Sequence, residues 1–140
     1  MTVVLTDRIA EAVTDENVQG IIDVAAYGGI TYWAIEPTAA ERAGLPSDKQ
    51  YVIVEGEEDQ VFGGSREVEA VHYLSRAQIR VAYAKLLDLN QEYVNREYHG
   101  YIIQSWIDRE ELHGIDVAHI DAGAADIIVQ VAIFDEVRYG

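Results

Sequence analysis

Arg76 and Arg80, with His72 just upstream, are the side chains best suited to grip an anion. Four residues apart, the two arginines share one face of a helix. Ser75 is a good N-cap, so both fall in the first turns, where the helix terminus already favours negative charge. The chemistry this offers is capture of a phosphate or carboxylate. The competing structural reading is surface ion pairing with nearby carboxylates. A second group is Tyr27-Gly28-Gly29-Ile30-Thr31-Tyr32-Trp33. Two glycines let backbone approach a ligand closely, and Tyr32 and Trp33 add stacking surface with polar tips. Here the alternative is a helix end followed by a core strand. The Gly-Gly pair lacks the spacing and lysine of a phosphate-binding loop. Together Tyr32, Trp33, His72, Arg76 and Arg80 make the candidate ligand site.

Other polar groups offer less. Glu110, Glu111, His113, Asp116, His119 and Asp121 are oxygen and imidazole donors, but their spacing matches neither an EF-hand nor HExxH. A solvated loop is expected, with no metal and no cofactor. Glu55, Glu57, Glu58 and Asp59 read as a hairpin tip kept soluble by charge. Asp126 and Gln130 lie four apart, opposite an apolar stripe, and read as a solvated pair. No serine stands in a GxSxG elbow and no cysteine exists, so nucleophilic catalysis has no support and an enzyme is not expected.

Composition narrows the partners. The 140 residues include 25 Asp and Glu against 10 Lys and Arg, a formal charge of −15. Such a chain repels phosphate backbones and anionic membrane surfaces. Direct binding to a nucleic-acid backbone and membrane association are therefore not expected. Basic proteins, cations, or ligands held in a local pocket are the natural partners. With 49% hydrophobic residues the chain can build a core. No signal peptide and no membrane-length apolar run is read, which points to the cytoplasm.

These side chains must be placed by about five helices and three strands, a single α+β domain over residues 1–140. Thr6 reads as the cap of a helix over Asp7 to Val13. Thr14 caps a second, with Val18, Ile21, Ile22 and Ala25 on one face, ended by Gly28-Gly29. Ile30 to Glu36 reads as a strand, followed by a connector with one helical turn over Ala39 to Ala43. Gln50 to Glu55 is a strand, Gly56 to Gln60 an acidic turn. Val61-Phe62 begins a return strand broken at Gly63-Gly64. Arg66 to Leu74 alternates and pairs with the Gln50 strand. Helices follow over Ser75 to about Leu89 and Val94 to Glu111, the latter burying Ile102, Ile103, Trp106 and Ile107. Asp121 caps the last, in which Ala124, Ile127, Ile128 and Val131 align. The result is a three-stranded antiparallel sheet packed by helices. Its open edge favours a homo-oligomer.

Two segments carry a resemblance. Gly28-Gly29-Ile30-Thr31-Tyr32-Trp33 follows an amphipathic helix, and Asp121 to Gly140 closes the chain with Asp126, Gln130, Phe134, Glu136, Val137, Tyr139 and Gly140 in a set spacing. The pairing resembles a family of small, mostly uncharacterised proteins of bacteriophages, notably actinobacterial ones, and their hosts. Members have GGxxYW early and a terminal D-x4-D-x3-Q-x3-F-G-E-V-x-Y-G. This chain departs at Tyr27, where an acidic residue often stands, and at Asp135, where glycine is usual and would serve a tight turn. The resemblance implies a phage accessory protein, acting in the host cytoplasm, that binds and neutralises a host factor. An anti-defence inhibitor fits, either sequestering a small anionic, nucleotide-like ligand or masking a host protein. A DNA mimic occupying a DNA-binding groove is the alternative. A nucleotide-acting enzyme built on His72 ranks third.

Overall fold

Most helices of this chain begin where a side chain can satisfy their first backbone amides. The structure, a computed structural model, describes residues 8–58 and 65–140. Residues 8–12 are helical. The expected cap Thr6 and start Asp7 lie outside the described residues, as do Asp59-Gln60, Val61-Phe62 and Gly63-Gly64. Helix α1 (Asp15–Val24) opens at Thr14, whose hydroxyl accepts from Asn17 N while Asn17 Oδ1 accepts from Thr14 N. The same reciprocal box opens α2 (Ala39–Ala43) at Thr38 and Glu41, and α3 (Arg76–Leu86) at Ser75 and Gln78. Asn95 caps α4 (Arg96–Ile107) and Asp121 caps α5 (Ala122–Phe134). Each such cap is worth about 1 kcal/mol.

The expected three-stranded antiparallel sheet is present, in the order β1 (Ala34–Ile35), β2 (Tyr51–Glu58), β3 (Arg66–Leu74). Tyr51 pairs with Leu74, Ile53 with His72 and Glu55 with Ala70. An irregularity between Glu55 and Gly56 shifts the register, and β2 continues to Glu58 where an acidic turn was expected. With period 2, Tyr51, Ile53 and Glu55 share one face. All three are buried, so Glu55 belongs to the interior and not to a charged tip.

The Ile30–Glu36 strand is mostly not a strand. Helix α1 runs into a π turn (Ala25–Gly29), and Ile30 O then accepts from both Trp33 N and Ala34 N. The turn carries Trp33 inward to a buried partner, which outweighs the extended preference of Tyr32 and Trp33. Helix α3 stops at Leu86 and α4 spans Arg96–Ile107, both shorter than expected. On α4 the buried residues are Ile102 and Ser105, with Tyr98 half-buried on the same line at i, i+4 and i+7. Ile103 and Trp106 are half-buried and Ile107 is exposed.

Helix α5 is the centre. Every residue from Ala124 to Val131 is buried, as befits a helix covered on all sides. It packs against the π turn and α3, and also against α1, α4 and β3. None of the described helices is long and apolar enough to cross a membrane.

Asn17 ties the two halves together. Its amide donates to His113 O at 3.1 Å and Ile115 O at 3.3 Å, and its Oδ1 accepts from Ile115 N at 3.0 Å. Gly114 makes this approach possible: its φ is +74°, and a Cβ there would lie 2.1 Å from Asn17 Oδ1. Asn17→Ala strips partners from buried backbone groups, each worth about 1–3 kcal/mol when left unsatisfied. A stability loss of about 2–4 kcal/mol is expected in urea unfolding, with the slope unchanged. A loss under about 1 kcal/mol would remove Asn17 from this role.

Candidate functional site

Two polar residues on α5 organise the site. Asp126 and Gln130 are one turn apart and both buried, with relative exposures of 7% and 0%. This overturns their reading as a solvated pair: the apolar stripe is not the only covered face of α5. Asp126 Oδ1 accepts from Trp33 Nε1 and from Gln130 Nε2, both at 2.8 Å, and Oδ2 accepts from the Tyr32 hydroxyl at 2.6 Å. Desolvation, then the hydrogen bond to Asp126, push the Tyr32 hydroxyl above its ordinary value, so it remains a donor. Gln130 Oε1 accepts from Arg138 N at 2.7 Å and Tyr139 N at 2.8 Å, while its Nε2 also donates to Tyr139 O at 3.2 Å. The amide side chain thereby acts as a strand partner for the C-terminal segment.

That segment folds back over the aromatic interior. The Tyr139 ring stacks on Trp33 with centroids 5.3 Å apart and planes 4° from parallel. Its hydroxyl donates to Glu55, which also meets His72 Nε2 at 2.9 Å. Asp135, in the position where the resembling family has glycine, adopts φ 53° and ψ 29°. The tight turn therefore forms without glycine, because aspartate tolerates the left-handed region better than most residues. Lys85 and Tyr93 both bond its carboxylate.

Between these parts lies a cleft of about 470 Å3. Tyr32, Tyr93, Tyr98 and Tyr139 wall it, Asp126 lies in its lining, and Gly28-Gly29 and Ala122-Gly123 form its backbone edges. Gly29 is required there, since a Cβ would stand 2.5 Å from Ala122 O. A neighbouring groove of about 570 Å3 shares Tyr93 and Val137 and adds Glu92, Asp135 and Glu136. Neither lining contains a lysine, arginine or histidine among the described residues.

The five residues singled out in the sequence do not line one cleft. Tyr32 and Trp33 meet at Asp126. His72 lies across the sheet on Glu55 and edge-on to Phe134, 5.4 Å between centroids. Arg80 is held by Val13 O at 2.8 Å and paired with Asp15. Arg76 is half-buried; its backbone N–H donates to Gln50 Oε1, and its Nε has no partner among the described residues. The arginines share a helix face as expected, but α1 supplies the opposing carboxylate of one of them. Of the 110–121 group, Asp116 and His119 come together, joined by Asp108, with donor atoms within 4.8 Å of one another. His119 Nε2 is 2.7 Å from Asp108, and Asp116 also caps the short 3-10 turn Val117–His119. A histidine–carboxylate hydrogen bond and a cap account for that cluster.

Sequence reasoning missed Tyr93, Tyr98 and Tyr139 in the cleft, and the burial of Asp126 and Gln130. A signal for the latter was present: two polar residues in an otherwise wholly apolar helix. Comparison of the chain with protein-family models, curated proteins and solved structures finds no match.

The Glu55 contacts make a pH-dependent contribution. Desolvation raises its carboxyl, but hydrogen bonds from Tyr139 and His72 and the charge of Arg138 outweigh it, leaving the group below its ordinary 4.5. A carboxyl depressed on folding stabilises fully above its unfolded value, and that stability is lost as pH falls through the folded value. The stability gap between the parent chain and Glu55→Gln is thus expected to be full at neutral pH and to narrow below 4.5. A gap that stays constant in urea titrations down to about pH 3 would contradict this.

Proposed function

We propose that this protein works by binding and not by catalysis, and that it masks a basic surface of a protein partner. The carrying observation is the division of charge. Arg42, Arg66, Arg80, Lys85 and Arg138 each face one of the chain's own carboxylates. The tyrosine cleft presents Asp126 and the neighbouring groove Glu92, with no cationic residue in either described lining; Asp135 and Glu136, also in the groove, already face Lys85 and Arg138. With a net charge of −15, this surface attracts cations at long range and repels anions. Masking is favoured over capture of an anionic signal because Arg80 and His72 already serve Asp15 and Glu55. The sequence resemblance supports the setting, a phage accessory protein directed at a host factor.

A fluorescent lysine- and arginine-rich peptide tests this by anisotropy, beside duplex DNA and nucleotide second messengers. Binding of the peptide is expected, weakening as salt shortens the screening length from about 8 Å at 0.15 M to about 3 Å at 1 M. DNA and messengers are expected not to bind. Binding of a messenger that Arg80→Ala abolishes, without binding of the peptide, would reverse the assignment.

A further inference from the structure

We infer that the tyrosine cleft seats one lysine or arginine side chain of the partner, with its cationic head on Asp126. This rests on the reading of a basic partner and assigns the site at which that partner is read. The argument begins with lone pairs. A carboxylate offers about four acceptor positions. Trp33 and Gln130 occupy both on Oδ1, and Tyr32 occupies one on Oδ2. One acceptor position remains, on Oδ2 of a residue that is 7% exposed and lines the cleft. A charged N–H donor is the strongest partner for it.

The walls agree with that donor. Tyrosine faces attract ammonium and guanidinium groups within about 6 Å of the ring. Tyr98 and Tyr101 meet edge to face at 6.1 Å, leaving Tyr98 fixed beside Gly123. Tyr27, next to the Gly28-Gly29 edge, is 94% exposed. The capacity of about 470 Å3 falls within the usual range of about 300–1,000 Å3 for a site that encloses a ligand. The adjoining groove, with Glu92 in its lining, lets a further basic residue of the same segment follow.

One feature opposes a cation. The first residues of α4 and α5 reach the cleft, and each helix start carries about half a positive charge. Arg96, the first residue of α4, adds to it, and Asp126, the capping Asp121 and Glu97 in the first turn of α4 oppose it. The caps also consume amides: Asn95 accepts from Glu97 N and Tyr98 N, and Asp121 from Ala124 N. The caps thus take up part of the donor set that an anion would use.

The test uses the full chain and three probes, N-acetyl-arginine amide, N-acetyl-lysine amide and the neutral N-acetyl-citrulline amide. Amide and indole NMR signals are followed on titration. The Trp33 indole N–H, which donates to Asp126, and the Gly123 amide are expected to shift and saturate at millimolar arginine or lysine probe, and not with citrulline. Asp126→Asn removes the charge but touches the fold, so a second variant plugs the cleft. A Cβ on Gly28 meets nothing within 4 Å, and Gly28 is not in the left-handed region. Gly28→Trp therefore places an indole at the edge of the cleft without a Cβ clash, and is expected to weaken the cationic probes at least about tenfold. Equal response to citrulline, or unchanged binding by Gly28→Trp, overturns the cleft assignment. The labelled basic peptide separates the two claims. If it binds the parent chain and Gly28→Trp equally well, masking stands and the cleft is not its seat. If it binds neither, masking itself fails.

Discussion

Asp126 and Gln130 sit one turn apart in a helix whose residues from Ala124 to Val131 are all buried, and that burial obliges distant parts of the chain to come to them. An amide or carboxylate left unpaired in such a place costs about 1–3 kcal/mol, more when charged. Trp33 and Tyr32 answer from the turn after α1, and the backbone of Arg138 and Tyr139 answers from the chain's last residues. Neither segment is regular secondary structure at the point of contact. Their conformations follow from the partners they supply. The π turn at Ala25–Gly29 and the left-handed Asp135 are the local adjustments that let both segments arrive.

What the sequence reveals and what it hides divide along the same line. Thr14, Ser75 and Asp121 were readable as caps because a cap is settled within four residues. The pairing of β2 with β3 was readable from alternation at Arg66–Leu74. Ile30–Trp33 was misread because its aromatic, β-branched composition speaks for extension, while the deciding hydrogen bond runs to a residue 93 positions away. Asp126 and Gln130 were misread for a related reason. Helical periodicity identifies the face opposite an apolar stripe, but cannot say whether another layer covers that face. Arg76 and Arg80 do share a face, yet Asp15, 65 positions upstream, decides what Arg80 is for.

The two segments that carry the phage-family resemblance turn out to be each other's neighbours. Gly29 packs on Ala122 O, Trp33 stacks on Tyr139, and both Tyr32 and Trp33 bond Asp126. A glycine pair, two aromatics, an aspartate, a glutamine and a tyrosine are thus one physical unit, though the sheet and helices α2 to α4 separate its two segments in sequence.

That unit has a consequence for binding. Asp126 lies in the cleft lining with one acceptor position open, and the described lining holds no cation. The same carboxylate shares Gln130 with the C-terminal segment, since Gln130 Nε2 bridges Asp126 Oδ1 and Tyr139 O. A cation completing the shell of Asp126 binds only the folded arrangement, so it stabilises that arrangement by mass action. The hydrogen bonds that hold Trp33 and the tail in place are the ones it reinforces. In the proposed mode of binding, recognition and the order of the tail are coupled through a single carboxylate.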